Sequence, residues 1–305
     1  MKRRKFIRGA LGAAGALALV RPAAALTPQE IQLGIINSEI TSDDVEEALQ
    51  FIKSYGLNWA EMKILWGKYN TSQDIESVKR AKDLLDKYEL RVPLLATGFF
   101  KVELPPPGSA RDEMMKKQHA ILRKAIENAK IFETDRIRAF AFTVKDPSNR
   151  QWDDAMKLLE EATHIAENEG IYLAVENIFN NHVETGADVE RMLHDVPNPH
   201  LGVIWEPNNA AMAGDWSPLN GLLRVDVNRI YDVHLRDGRR TNDGGFKWCA
   251  VGDGELDVKG TIQHLLSAGY EGPFTLETHY TPPGGTKKDG SRMSIEALLK
   301  IVRNL

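Results

Sequence analysis

The chain has 305 residues, 42% of them hydrophobic and 27% charged, with a formal charge of −4. That is ordinary globular composition, with enough length for a sizeable core. The acidic balance argues against a nucleic-acid partner, and a lone cysteine, Cys249, excludes an internal disulfide and makes a poor candidate nucleophile.

The first segment stands apart. Met1 to Arg8 is basic and runs into Gly9–Val20, an apolar stretch too short to span a bilayer. Arg3-Arg4-Lys5-Phe6-Ile7 looks like a twin-arginine export motif, and Ala23-Ala24-Ala25 offers the small residues of a cleavage site. The expected division is therefore a leader over 1–25 and one domain over 26–305. It implies handling by the twin-arginine export machinery, a periplasmic or otherwise exported product, and no stable membrane insertion after cleavage. Losing the leader removes six cations and no acids, taking the formal charge from −4 to −10.

From Gln32 onward, short apolar runs alternate with longer segments of helical period. Strands are predicted near 32–37, 59–65, 91–98, 136–142, 171–178, 201–206, 230–236 and 273–279. Helices are predicted over 42–55, 73–88, 111–132, 151–169, 185–194, 257–268 and 292–303, where Leu, Ile and Ala recur at offsets of three and four. Thr41-Ser42-Asp43-Asp44 supplies a cap for the first helix, and Gly56, Gly170 and Gly269 mark helix ends. Eight such units predict a single (β/α)8 TIM barrel. An open doubly wound sheet loses its best support, because no Gly-x-Gly-x-x-Gly turn follows a strand.

In a barrel the working groups lie where strands end, at the C-terminal face. Strand five closes with Glu176-Asn177, strand six with Trp205-Glu206, strand seven with Val233-His234, and strand eight with Glu277-Thr278-His279. Three carboxylates and one imidazole would converge there. Their mutual repulsion is best relieved by a divalent cation, and carboxylate oxygen with imidazole suits Mn²⁺, Mg²⁺ or Co²⁺, with Zn²⁺ as an alternative.

At these residues the chain resembles the xylose isomerase-like barrels, including ketose 3-epimerases and inosose-handling enzymes. The resemblance rests on Gly34-Ile35-Ile36-Asn37-Ser38-Glu39-Ile40, Trp205-Glu206-Pro207-Asn208-Asn209-Ala210, Val233-His234-Leu235-Arg236-Asp237 and Gly252-Asp253-Gly254-Glu255-Leu256-Asp257. It implies a metal held by Glu176, Glu206, His234 and Glu277. Position 206 departs from the usual Asp, and the added methylene gives about 1.5 Å more reach. The resemblance also implies isomerase or epimerase chemistry on a sugar or polyol carbonyl, and it allows a homo-oligomer. Moving a carbonyl needs a proton taken from the adjacent carbon, for which Glu176 and Glu277 are the expected acid–base pair.

His182, Asn209, Arg240 and Trp66 are the expected substrate contacts; Asn209 stands where the family carries a polar group near its metal. Arg236 and His279 are weighed beside them, as are Phe99, Phe100, Trp205 and Trp248 for an aromatic wall, with core packing the default for each aromatic. Glu61 and Lys63 alternate inward on strand two and are expected to pair with each other. Export, with no Gly-Lys-Ser/Thr phosphate loop, points to a non-phosphorylated carbohydrate. Cleavage of 3-keto-glycosides by elimination or hydrolysis, and a noncatalytic sugar-binding barrel, are the alternatives.

Overall fold

The computed structural model describes residues 30–305 apart from 147 and 149, so the leader lies outside the described residues. The barrel strands are β1 (Leu33–Ile36), β2 (Trp59–Glu61), β3 (Leu95–Phe99), β4 (Arg136–Ala139), β5 (Tyr172–Glu176), β6 (Leu201–Trp205), β7 (Ile230–Leu235) and β8 (Phe274–Leu276). All pair in parallel, in the order β2-β1-β8-β7-β6-β5-β4-β3. Single bridges, Trp59 to Arg91 and Met62 to Leu95, draw the two edge strands together. Asn70 staples that seam, its buried amide donating to the carbonyls of Met62 (3.1 Å), which also accepts the Ala96 N–H at 3.2 Å, and of Ala96 (2.7 Å). The result is the expected (β/α)8 barrel, near-closed.

The layer outside the barrel is formed by α1 (Val45–Ser54), α2 (Ile75–Lys87), α3 (Ser109–Ile131), α4 (Trp152–Glu167), α5 (Gly186–Asp195), α6 (Pro207–Met212), α7 (Pro218–Leu222), α8 (Val258–Ser267) and α9 (Lys287–Val302). Asp44 caps α1 by accepting from the Glu47 N–H at 3.0 Å. Gly56, Gly170 and Gly269 sit at positive φ beyond α1, α4 and α8, where a side chain would be strained.

Strand alternation separates two cores. Leu173, Val175, Val203, Trp205, Val233, Leu235, Phe274 and Leu276 pack with the helices in one large apolar cluster. The opposite parity contributes Ala174 and Ile204 to a small inner cluster with Leu94 and Tyr231. That same inner parity carries Arg138, Glu176, Glu206, Asp232, His234, Thr275 and Glu277, all buried. The polar site is thus built on the barrel's interior face, above a short apolar plug.

Seven of the eight strands end sooner than predicted, while β3 begins later and runs one residue past its predicted end. After Glu61 the chain leaves the barrel and turns through a hairpin, Ile64–Leu65 against Lys68–Tyr69, with Trp66 (φ 44°) and Gly67 (φ 81°) at its tip. A second unpredicted hairpin pairs Asp237–Arg240 with Phe246–Cys249. Non-glycine residues at positive φ follow strand runs at Trp66, Phe100, Phe142, Asn180 and His279, on the face where barrels place their chemistry.

Candidate active site

Strands β5, β7 and β8 bring Glu176, His234 and Glu277 together, with one ligating atom from each lying within 4.8 Å of the others, and all three residues are buried. The register enforces this. Thr275 is paired with His234 across β8 and β7, and the Glu277 N–H donates to the Leu235 carbonyl at 3.1 Å.

His234 is held from behind. Its Nε2 lies 2.9 Å from Glu61 Oε2, so that nitrogen carries the proton and Nδ1 faces Glu277 Oε2 at 3.6 Å. Nδ1 has no hydrogen-bond partner among the described residues, and Glu277 Oε2 has an ion-pair contact with Arg236 Nη1 at 3.2 Å. An imidazole lone pair facing a carboxylate in a dry interior requires a cation between them, either a proton or a metal. Burial opposes charging the ring, but Glu61 and Glu277 outweigh it and hold the His234 pKa well above its ordinary value. The donor set, two carboxylates and one imidazole nitrogen, fits a divalent ion.

The carboxylates stay ionised. Burial works against Glu277, yet Lys63 (3.3 Å) and Arg236 (3.2 Å) hold its pKa well below the usual carboxylate range. Glu176 is lowered in the same way, Arg138 at 3.1 Å overcoming the effect of burial. Arg138 also donates to the Thr97 carbonyl and lies 4.0 Å from Glu61 and 3.9 Å from Glu277. Beneath His234, burial pushes the Asp232 carboxyl up to about 7, with His234 opposing and Glu61 adding to the rise, while Thr275 Oγ1 donates to it at 2.8 Å.

Glu206, the fourth expected ligand, is not in this grouping. Its carboxylate turns back to cap α6, accepting from the N–H groups of Asn208 (3.1 Å) and Asn209 (2.5 Å). Arg236 binds it at 2.9 Å and reaches Glu277 with its other nitrogen, so a guanidinium bridges Glu206 and Glu277. The extra methylene serves a cap and an ion pair.

The expected substrate contacts divide. Asn209 is in the site, donating to Glu176 (3.4 Å) and the Asn177 carbonyl (2.9 Å) while accepting from Arg236 (2.9 Å). His182 is buried away from the site, its Nδ1 3.0 Å from the Phe142 carbonyl, and it lines a small separate cavity with Glu103, Thr143 and Lys145. Arg240 lies exposed on the second hairpin, paired with Glu255 at 2.9 Å and stacked on Trp216. Trp66, at the first hairpin's tip, packs under the Arg80 guanidinium. Phe99, Phe100 and Trp205 are core residues, whereas Trp248 stands by the site, 4.5 Å from the Arg236 guanidinium and 5.3 Å from the His279 ring. Glu61 and Lys63 do not pair with each other; they serve His234 and Glu277. Burial pushes the Cys249 thiol up to about 11, which leaves it unreactive.

Two of the motif phrases form one unit. Asp237 accepts from the N–H groups of Gly238, Gly252, Gly254 and Leu256 at 2.8, 2.9, 3.0 and 3.4 Å, folding the Gly252–Asp257 loop around the end of β7. A Cβ at Gly254 would lie 1.8 Å from Asp237 Oδ1. These residues are anchors for the site's rim.

The sequence profile of the xylose isomerase-like TIM barrels matches residues 49–301. The chain belongs to that family. Its curated relatives include an uncharacterized protein of Methanocaldococcus jannaschii, 25% identical over 211 residues, covering 66% of this chain and 69% of that one. The inosose dehydratase of Geobacillus thermodenitrificans is 23% identical over 149 residues, covering 44% of this chain and 49%, about half, of the relative. Solved xylose isomerase-like barrels share the fold. The zinc-bound IOLI protein has a TM-score of 0.72 at 14% identity, covering 90% of this chain and 99% of that one. A Mycobacterium smegmatis barrel in complex with magnesium gives 0.66 at 14%, covering 91% and 98%. The 3-keto-D-glucoside 4-epimerase of E. coli gives 0.66 at 16%, covering 88% and 99%.

Proposed function

We propose that this chain is a divalent-metal-dependent isomerase or epimerase that enolises a non-phosphorylated sugar, polyol ketone or keto-glycoside. The observation that carries this reading is the buried grouping of Glu176, His234 and Glu277, with an imidazole nitrogen that has no hydrogen-bond partner among the described residues facing a carboxylate oxygen of Glu277. Neighbours described with zinc and magnesium, and one that is a keto-glucoside epimerase, support it. A divalent ion held by these three residues would polarise the substrate carbonyl and offset its developing charge.

The chain's own residues do the rest. Glu176 and Glu277 take a proton from the carbon beside the carbonyl and return it. Asn209 and Arg138 hold the first carboxylate; Lys63 and Arg236 hold the second. Trp248 offers a ring face to the sugar's C–H surface. The basic, Arg-Arg-bearing leader supports action outside the cytoplasm.

Glu61 fixes the ring that presents Nδ1, so Glu61→Gln is predicted to weaken metal binding by about 10–100-fold. Competition with a fluorescent chelator measures it, and unchanged affinity would remove Glu61 from the site's design.

Elimination of water is a second reading. His279 is partly exposed beside Glu277, 3.4 Å from it, where it could protonate a leaving hydroxyl, and a named relative is a dehydratase.

The test is deuterium uptake from D₂O into fructose, tagatose and 3-keto-glucosides with Mn²⁺ bound, followed by proton NMR. Loss of the α-proton signal that stops on chelation is expected. Exchange accompanied by loss of one water would favour elimination, and a metal-loaded protein that exchanges none of them would contradict enolisation.

A further inference from the structure

Building on the enolising reading, we propose that the substrate is a glycoside of at least two sugar rings, one enolised at the metal grouping and the next seated on an aromatic platform of Trp248, Phe246 and Trp216.

The second hairpin builds the platform. Its register pairs Gly238 with Trp248 and Arg240 with Phe246, so these four residues share one face. Phe246 lies two residues further out than Trp248, about 7 Å along the strand. Gly238 lets the Phe246 ring lie back across the hairpin, since a Cβ there would stand 2.2 Å from Phe246 Cζ and 2.5 Å from Cε1. At the base, Asp237 gathers the N–H groups of Gly238, Gly252 and Gly254 and fixes the hairpin to the end of β7.

The rings run outward from the metal grouping. His279 is 3.4 Å from Glu277, and its ring meets that of Trp248 edge-on, with centroids 5.3 Å apart at 84°. Trp248 meets Phe246 at 4.7 Å and 73°, and Phe246 meets Trp216, from the segment between α6 and α7, at 5.9 Å and 35°. Guanidinium groups hold both indoles, Arg236 at 4.5 Å from the Trp248 ring and Arg240 at 4.5 Å from the Trp216 ring. Glu255 in turn fixes Arg240, accepting from its backbone N–H at 3.1 Å and its Nε at 2.9 Å.

Core packing does not account for these rings. None of the three belongs to or packs against the large apolar cluster, which takes up Trp66, Phe99, Phe100 and Trp205, and all three are partly exposed. The turn beyond them, Thr241-Asn242-Asp243-Gly244-Gly245, is polar, so the apolar surface is no wider than the rings and lacks the extent of a protein interface core. Aromatic faces set in line from the reacting centre, interleaved with guanidinium and carboxylate groups, match a ligand that presents C–H faces between hydroxyls, which is the surface of a carbohydrate. A single sugar enolised beside Glu277 reaches Trp248 and leaves Phe246 and Trp216 idle. A second ring, joined through a glycosidic bond, covers them.

Calorimetric titration of the Mn²⁺-loaded protein with glucose, cellobiose, maltose, trehalose and sucrose tests this without turnover. At least one disaccharide is expected to bind about tenfold more tightly than glucose, each stacked ring being worth about two- to tenfold. Phe246→Ala and Trp216→Ala should each lose about two- to tenfold for that disaccharide, and the two together should erase the preference. Phe246→Tyr should retain it. Gly238→Ala, whose methyl displaces the Phe246 ring, should reproduce the Phe246→Ala loss. No disaccharide preference in the wild type, or losses in the alanine variants that are equal for glucose, would overturn the inference. A dimer seen by sedimentation that the double variant dissolves, with no sugar preference, would assign the platform to a second copy of the chain instead. Deuterium exchange keeps the two readings apart. Exchange on keto sugars without a disaccharide preference sinks only the platform, and a disaccharide preference without exchange on any keto sugar sinks only enolisation.

Discussion

Glu277→Gln is expected to lower kcat/KM for any exchanging ketose by at least about a thousandfold, because one substitution removes a proposed metal ligand and half of the proposed acid–base pair. The side chain is the hub of the site, 3.3 Å from Lys63, 3.2 Å from Arg236, 3.4 Å from His279 and 3.6 Å from His234. An amide preserves the shape and discards the charge. Circular dichroism establishes that the variant is folded, and single-turnover exchange measures the loss. More than a tenth of wild-type activity would mean that Glu277 is neither ligand nor base.

Arg138→Met should produce the largest change in stability. The guanidinium is almost fully buried and is the closest cation to Glu176, and it also lies near Glu61 and Glu277. Methionine fills much of the volume and leaves those carboxylates undercompensated in a dry interior, at a cost of about 3–5 kcal/mol. Added Mn²⁺ should recover part of the loss, since an ion bound only by the folded state stabilises it. Urea denaturation with and without Mn²⁺ checks both parts. A loss that metal does not relieve would assign Arg138 to packing alone.

The barrel was legible in the sequence because parallel strands buried on both faces read as short apolar runs between helix-length periodic segments. Glu176, His234 and Glu277 were legible as polar residues closing such runs. What escaped depends on closure. Arg138 lies within Arg136-Ile137-Arg138-Ala139, an alternation that a half-exposed strand would share, and only a closed barrel turns that face inward. Glu206 also closes an apolar run, yet its fate is set by α6, a six-residue helix beginning with Pro207 that is too short for periodicity to reveal. Trp66 and Arg240 lie near site residues in sequence, but each is carried away on a hairpin whose turn the apolar pattern did not show. Lys63 and Glu61 shared a parity, and their expected pairing failed because each found a stronger partner across the barrel.

The central claim is a metal grouping made by Glu176, His234 and Glu277, with Glu206 committed elsewhere. Metal content after Mn²⁺ loading and desalting, measured by mass spectrometry for the wild type, Glu206→Gln and His234→Ala, tests it most directly. The account predicts about one ion per chain in the wild type, comparable occupancy in Glu206→Gln, and loss of the ion in folded His234→Ala. Retention in His234→Ala, or loss in Glu206→Gln equal to that in His234→Ala, would contradict it.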